Sequence, residues 1–130
     1  MKTISVSAAA IVNNNKILIT KRSGGDFDGM WEFPGGKIEP NETKEETVIR
    51  EIKEELDLEI SVSSHLISIE YAYPNFNLEM HVYICSIISG TMVLNEHGDF
   101  AWTSKADIEN YNWIPADIEV VEAIKALKTL

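Results

Sequence analysis

Gly36-Lys37-Ile38-Glu39-Pro40-Asn41-Glu42-Thr43-Lys44-Glu45-Glu46-Thr47-Val48-Ile49-Arg50-Glu51-Ile52-Lys53-Glu54-Glu55-Leu56-Asp57-Leu58 is the stretch on which the reading of this chain turns. Its second part is helical in pattern: Val48, Ile49, Ile52 and Leu56 fall on one face, and Thr43 with Glu46 forms a capping box, so a helix is predicted from Thr43 to Leu56. At the helical pitch, Glu51 and the pair Glu54/Glu55 share one stripe beside that apolar face. Like charges at this spacing destabilise a bare helix by about 0.2–0.5 kcal/mol per pair, so three acids facing one place ask for a cation. Mg²⁺ suits them, with Mn²⁺ as a substitute, because hard divalent ions prefer carboxylate and carbonyl oxygens and share their remaining positions with water and phosphate. The competing reading is a solvated glutamate face. Against it stands the preceding Phe33-Pro34-Gly35-Gly36, which brings bare backbone up to the helix, where a carbonyl can be a further ligand and no side chain blocks phosphate. Arg50 adjoins Glu51 and lies four residues from both Glu46 and Glu54, within reach to hold the acids by charge-assisted hydrogen bonds.

Outward from this segment, residues 4–12 and 16–21 are rich in Ile, Val and Ala and flank Asn13-Asn14-Asn15, which predicts a β-hairpin. Residues 23–30 read as a loop leading into Trp31-Glu32-Phe33, and residues 35–42 as a second loop marked by Gly and Pro. Apolar or alternating runs at 58–62, 65–73 and 79–88 predict strands, followed by a turn at Gly90 and a short strand at 100–102. From about Pro115 to Leu127, Ile118, Val121, Ile124 and Leu127 recur at helical spacing. No repeat, low-complexity run or linker interrupts this order, so residues 1–130 are expected to form a single domain of mixed α/β class.

Composition narrows the function. A chain of 130 residues suffices for one hydrophobic core, and 45% hydrophobic with 25% charged residues is the make-up of a soluble globular protein. With 11 Lys+Arg against 21 Asp+Glu, the formal charge of −10 argues against nucleic-acid duplexes, whose backbones are bound through surplus Lys and Arg. It does not oppose a small phosphorylated ligand, because a cation held by converging acids reverses the local sign. The single cysteine, Cys85, excludes an internal disulfide and a Cys-based zinc site and suits a reducing, cytoplasmic location. The N-terminal residues read as a first strand and not a leader, since the apolar stretch runs on into Lys16 and Lys21-Arg22. No run reaches the length of about 20 apolar residues needed for a membrane span. His65, His81 and His97 lack metal-ligand spacing to one another and are expected to be structural or surface residues.

The quoted stretch resembles the Nudix box: Gly36, five residues, Glu42, seven residues, then Arg50-Glu51-Ile52-Lys53-Glu54-Glu55, followed by Leu58. Its one departure is Asp57, where the box has Gly in a left-handed cap; Asp tolerates that conformation less well than Gly, so a small stability cost is expected and no loss of chemistry. The likeness extends over nearly the whole chain and is strongest to the MutT-like nucleoside triphosphate pyrophosphohydrolases, the branch of the 8-oxo-dGTP diphosphatases and CTP pyrophosphohydrolases. They share the Thr20-Lys21-Arg22 end of the second strand, the Glu-Phe-Pro-Gly-Gly approach and an acid six residues before a Trp, here Glu96 and Trp102.

This resemblance implies a Nudix fold, an α/β/α sandwich around a mixed sheet, and Mg²⁺-dependent hydrolysis of a nucleoside triphosphate to the monophosphate and pyrophosphate. It places the metal among the Gly35 carbonyl, Glu51, Glu54, Glu55 and Glu96. Glu51 is the first choice for general base, with Glu96 or Glu54 as alternatives; Arg50 would orient the acids, Glu42 would brace the loop and Gly36 would keep the motif's backbone close. Arg22 and Lys37 are candidates for phosphate oxygens, against a reading as ordinary solvated charges. Phe33, Phe76 and Trp113 can each stack a base or pack in the core. Asp117 stands where MutT has a base-reading Asn: it either accepts from N–H donors of cytosine or 8-oxoguanine, or caps the C-terminal helix. A small-molecule nucleotide, a monomer or homodimer, and removal of damaged nucleotides or control of a normal pool complete the expectation. The alternatives are hydrolysis of a nucleoside diphosphate-linked compound such as ADP-ribose, and a non-catalytic nucleotide-binding module, which usually lacks box acids that are all present here.

Overall fold

The computed structural model describes residues 1–130 and begins with the expected hairpin, β1 (Thr3–Asn13) and β2 (Lys16–Lys21). Asn14 and Asn15 close it with φ of 51° and 62°, the left-handed region that Asn enters more readily than other side chains and that a two-residue hairpin turn requires. The two strands pair only from Ile11/Leu18 to Asn13/Lys16. Beyond that point two short strands run along their diverging edges: β3 (Trp31–Glu32) pairs with β2, and β4 (Gly35–Lys37) pairs with β1. The expected loop at 35–42 is therefore corrected over its first three residues, which extend because the edge of β1 offers unpaired backbone groups there.

Helix α1 (Lys44–Leu56) follows, then β5 (Glu59–Ala72), β6 (Asn77–Ser89), β7 (Asp99–Ser104) and α2 (Ile118–Lys125), the last entered through a 3₁₀ turn at Pro115–Asp117. The strands expected at 58–62 and 65–73 are one, β5, whose pairing with β6 shifts register between Val62/Ser64 and His65/Ile67. Such bulges leave residues unpaired and break the alternation without ending the strand. The sheet runs β3-β2-β1-β6-β5, with β7 on β2; β1 and β6 are parallel and the other pairs antiparallel.

Period-two alternation sends side chains of the same strands to opposite faces. On one face Ala9, Ile11 and Leu18 meet Val48, Ile52 and Leu56 of α1; on the other Ala8, Ala10, Ile17 and Ile19 meet Val120, Val121 and Ile124 of α2. The expected mixed α/β class and its three layers are thus what the chain adopts. The capping box is formed, with the Thr43 amide donating to Glu46 Oε1 at 2.8 Å and the Glu46 amide to Thr43 Oγ1 at 3.0 Å. Asp57 takes the left-handed cap (φ 57°, ψ 36°), held by Lys53 Nζ at 2.8 Å from its Oδ1. No helix is long and apolar enough to cross a membrane.

Candidate active site

Packing α1 through Val48, Ile52 and Leu56 aims Arg50, Glu51, Glu54 and Glu55 towards β4 and the β6–β7 loop. Arg50 gathers the acids around itself. Its Nε and Nη2 donate to the two carboxylate oxygens of Glu42 at 2.6 and 3.0 Å, its Nη1 to Glu51 at 2.8 Å and Glu54 at 3.2 Å, and its Nη2 also to the Lys37 carbonyl at 3.1 Å. Glu42 also accepts from Thr47 Oγ1 and the Glu39 amide, so it is tied down on four sides; the Arg50 bonds, then that of Thr47, hold its carboxyl down to about 2. Arg50 has no bond to Glu46, which serves the helix cap instead.

Gly35 and Gly36 allow this approach. A Cβ on Gly36 would overlap the Glu51 carboxylate, and one on Gly35 would overlap the Ser7 carbonyl of β1. At Gly35 the obstacle is backbone, so glycine is required by contact distance; at Gly36 a side chain would displace the Glu51 carboxylate from its place.

Glu55 makes no bond to Arg50 and lines a polar groove together with Gly35, Glu96, His97, Arg22 and Glu32. It is 4% exposed, and its Oε2 has no hydrogen-bond partner. Burial first, then the carboxylates of Glu96 and Glu51, raise its pKa far above the ordinary range. His97 Nδ1, also buried and unpartnered, lies 4.0 Å from that oxygen. A buried acid without a donor is costly, and a cation would satisfy it, so the donor set of carboxylates and a bare glycine carbonyl fits a hard divalent ion. In this conformation no three His, Cys, Asp or Glu side chains close to metal-binding range, since Glu51 and Glu54 are drawn to Arg50.

Beside the groove lies a cavity of about 160 Å³ whose walls include Phe27, Phe33, Tyr73, Phe76, Met80 and Asp117. Phe33 is both wall and core, stacked on Trp113 with centroids 4.8 Å apart. Asp117 stands at the start of α2 but makes no side-chain cap; its Oδ2 accepts from the Phe33 amide at 2.9 Å across the cavity floor. The helix-cap reading therefore fails, because the 3₁₀ turn directs the carboxylate inward. Burial raises the Asp117 carboxyl to about 7, opposed by the Phe33 hydrogen bond.

Arg22, Glu32 and Gly35 border both spaces. Arg22 is engaged by Glu32 through Nε at 3.2 Å and Nη2 at 2.7 Å. Lys37 stands apart: its side chain is exposed and lines neither space. Sequence reasoning missed two residues at the centre. Glu32 was legible only as the residue before Phe33, and His97, expected to be structural or on the surface, has a nearly enclosed side chain with Nε2 3.1 Å from Glu32 Oε2. Its adjacency to Glu96 was the available signal.

A family model for the NUDIX domain matches residues 1–126. The chain is 36% identical over 129 residues to the CTP pyrophosphohydrolase of Escherichia coli (strain K12), spanning 98% of this chain and 96% of that protein. It is 30% identical over 129 residues to the 8-oxo-dGTP diphosphatase of the same organism, spanning 98% and 100%. The solution structure of the E. coli ORF135 protein superposes with a TM-score of 0.86 at 35% identity, covering 98% of this chain and 92% of that one.

Proposed function

The chain belongs to the NUDIX family, and from that premise we propose that it hydrolyses a nucleoside triphosphate to the monophosphate and pyrophosphate with a divalent cation, Mg²⁺ or its substitute Mn²⁺. The observation that carries this reading is the shared border of an aromatic cavity and an acidic groove, with Arg22, Glu32 and Gly35 common to both. A nucleotide with its base among Phe33, Phe76 and Asp117 extends its phosphates over Glu55, Glu96 and the Gly35 backbone. The two cores share one sheet, which supports treating residues 1–130 as a single domain.

Glu51, Glu54, Glu55, Glu96 and the Gly35 carbonyl would hold the cation, which when bound neutralises charge on the phosphate oxygens. Glu51 accepts a proton from the attacking water, with Glu54 and Glu96 as the alternative bases. Arg50 sets the directions of Glu51 and Glu54, and Glu42 anchors Arg50 from behind. Arg22 at the mouth of the groove takes phosphate oxygens; Lys37, from its exposed position, is a weaker partner for them.

Asp117 reads the base. With its carboxyl near 7, both its forms are populated at neutral pH: the ionised one accepts from an amino or N7–H group, and the protonated one also donates. The ionised form, which only accepts, supports cytidine nucleotides and 8-oxo-dGTP as the substrate class. The test is a panel of CTP, dCTP, dGTP, 8-oxo-dGTP and ADP-ribose with Mg²⁺, ranked by kcat/KM. Turnover of triphosphates, with the first two or 8-oxo-dGTP at the top, is expected; turnover of ADP-ribose alone would overturn the reading.

A further inference from the structure

The residue the chemistry above leaves unused is His97. Its side chain is 8% exposed, between two acids that are themselves 15% and 5% exposed, Glu32 and Glu55. Its two ring nitrogens have different tasks. Nε2 lies 3.1 Å from Glu32 Oε2, and Glu32 clasps Arg22 with both oxygens. A carboxylate in that clasp only accepts, so the imidazole proton belongs on Nε2, which leaves Nδ1 as a lone pair facing Glu55 Oε2, 4.0 Å away. Both atoms of that gap are buried and without a hydrogen-bond partner. The backbone reinforces the link, since the amide of Gly98, the next residue, donates to the Lys21 carbonyl at 2.9 Å, one position before Arg22.

We propose that His97 is a positioning residue: through Nε2–H it fixes Glu32, and through Glu32 it holds Arg22 at the border between the base cavity and the carboxylate groove, while tying down the loop that carries Glu96. The chain His97–Glu32–Arg22 thus sets the reach between where the base sits and where the phosphates are cut. It acts by geometry, because misplacing a phosphate-binding group by about 1 Å can cost on the order of 100-fold in rate. This role rests on the nucleotide-hydrolase reading above.

Glutamine places an amide N–H near where the imidazole Nε2–H stands, whereas alanine does not. His97→Gln should therefore keep kcat/KM for CTP or 8-oxo-dGTP, whichever the wild type prefers, within about threefold, and His97→Ala should lose about tenfold or more, chiefly through KM, as expected for a lost charge-assisted hydrogen bond acting on a binding group. In an Arg22→Ala background the further substitution His97→Ala should change KM little, because both act along one chain. Equal losses in His97→Gln and His97→Ala, or fully additive losses with Arg22→Ala, would overturn the proposal. Nitrogen-15 NMR of the wild-type imidazole gives a readout independent of turnover. The Nε2–H tautomer is expected, and an Nδ1–H tautomer would overturn the proposal even if the enzyme were active. Absence of any triphosphate hydrolysis beside an Nε2–H tautomer would instead sink the functional reading alone.

Discussion

Replacing Asp117 with asparagine tests the buried carboxyl at the floor of the base cavity. Asparagine keeps an oxygen for the Phe33 amide, which Asp117 Oδ2 now accepts at 2.9 Å, and removes the charge. The groups that face it are Glu32 on β3, Arg22 after β2 and Phe33 after β3; burial dominates, and the carboxyl rises from 3.8 to about 7. Between those values the folded protein keeps a proton that the unfolded chain has released, so wild-type stability falls as pH rises through that window and levels off above it. Each unit is worth 1.36 kcal/mol, so the two units from pH 5 to about 7 amount to about 3 kcal/mol. Urea denaturation of wild type and Asp117→Asn at pH 5 and pH 8 reads the difference directly. The variant's stability relative to wild type should improve by about 3 kcal/mol at the higher pH. Parallel pH profiles would mean that the carboxyl ionises as easily folded as unfolded and that burial does not raise it. The same pair should rank CTP, dCTP, dGTP and 8-oxo-dGTP differently by kcat/KM, and an unchanged ranking would remove Asp117 from the base site.

Glu54→Gln and Glu51→Gln should each lower kcat by more than about 100-fold while the far-UV spectrum and urea midpoint stay close to wild type, because both delete a carboxylate charge that would hold the cation and neither is in the core. Lys53→Ala, on the same helix but paired only with Asp57 and Glu59 at the surface, should be nearly silent in kinetics and leave the urea midpoint close to wild type; damage comparable to Glu51→Gln would show that the helix faces were misassigned. Gly36→Ala drives a methyl group into the Glu51 carboxylate, so a loss of about 100-fold in kcat is expected, and wild-type rates would mean that Glu51 need not sit there. Saturating Mg²⁺ should raise stability by about 2.7 kcal/mol at 100 times its Kd, read as a higher Tm, with a smaller shift in Glu54→Gln; no shift in either protein would leave the acids merely solvated.

What could be read from the sequence was local. The α1 helix follows from the spacing of Val48, Ile52 and Leu56 and from the Thr43–Glu46 box, all within one segment. The hairpin follows from three asparagines between two runs rich in Ile, Val and Ala, each with a continuous buried stretch. Gly35–Lys37 was hidden because two glycines read as a loop, and only the parting of β1 and β2 gives their backbone a partner. Ser63 and Ser64 split β5 in the sequence pattern because the register shift beside them suspends the alternation that marks a strand. The site shows the same division. The box acids and Arg50 share one helix, so their neighbourhood was fixed by its pitch. His97 and Glu32 are 65 positions apart and meet only through tertiary packing, and the inward turn of Asp117 depends on Phe33, 84 positions away.

If the acidic groove and the aromatic cavity act on one nucleoside triphosphate to release pyrophosphate, phosphorus-31 NMR of the wild-type protein with CTP or 8-oxo-dGTP and Mg²⁺ will show it. Equal amounts of nucleoside monophosphate and pyrophosphate should appear together, cease on addition of a chelator and be nearly abolished in Glu54→Gln. Nucleoside diphosphate with orthophosphate, or product formation that survives the chelator, would contradict it.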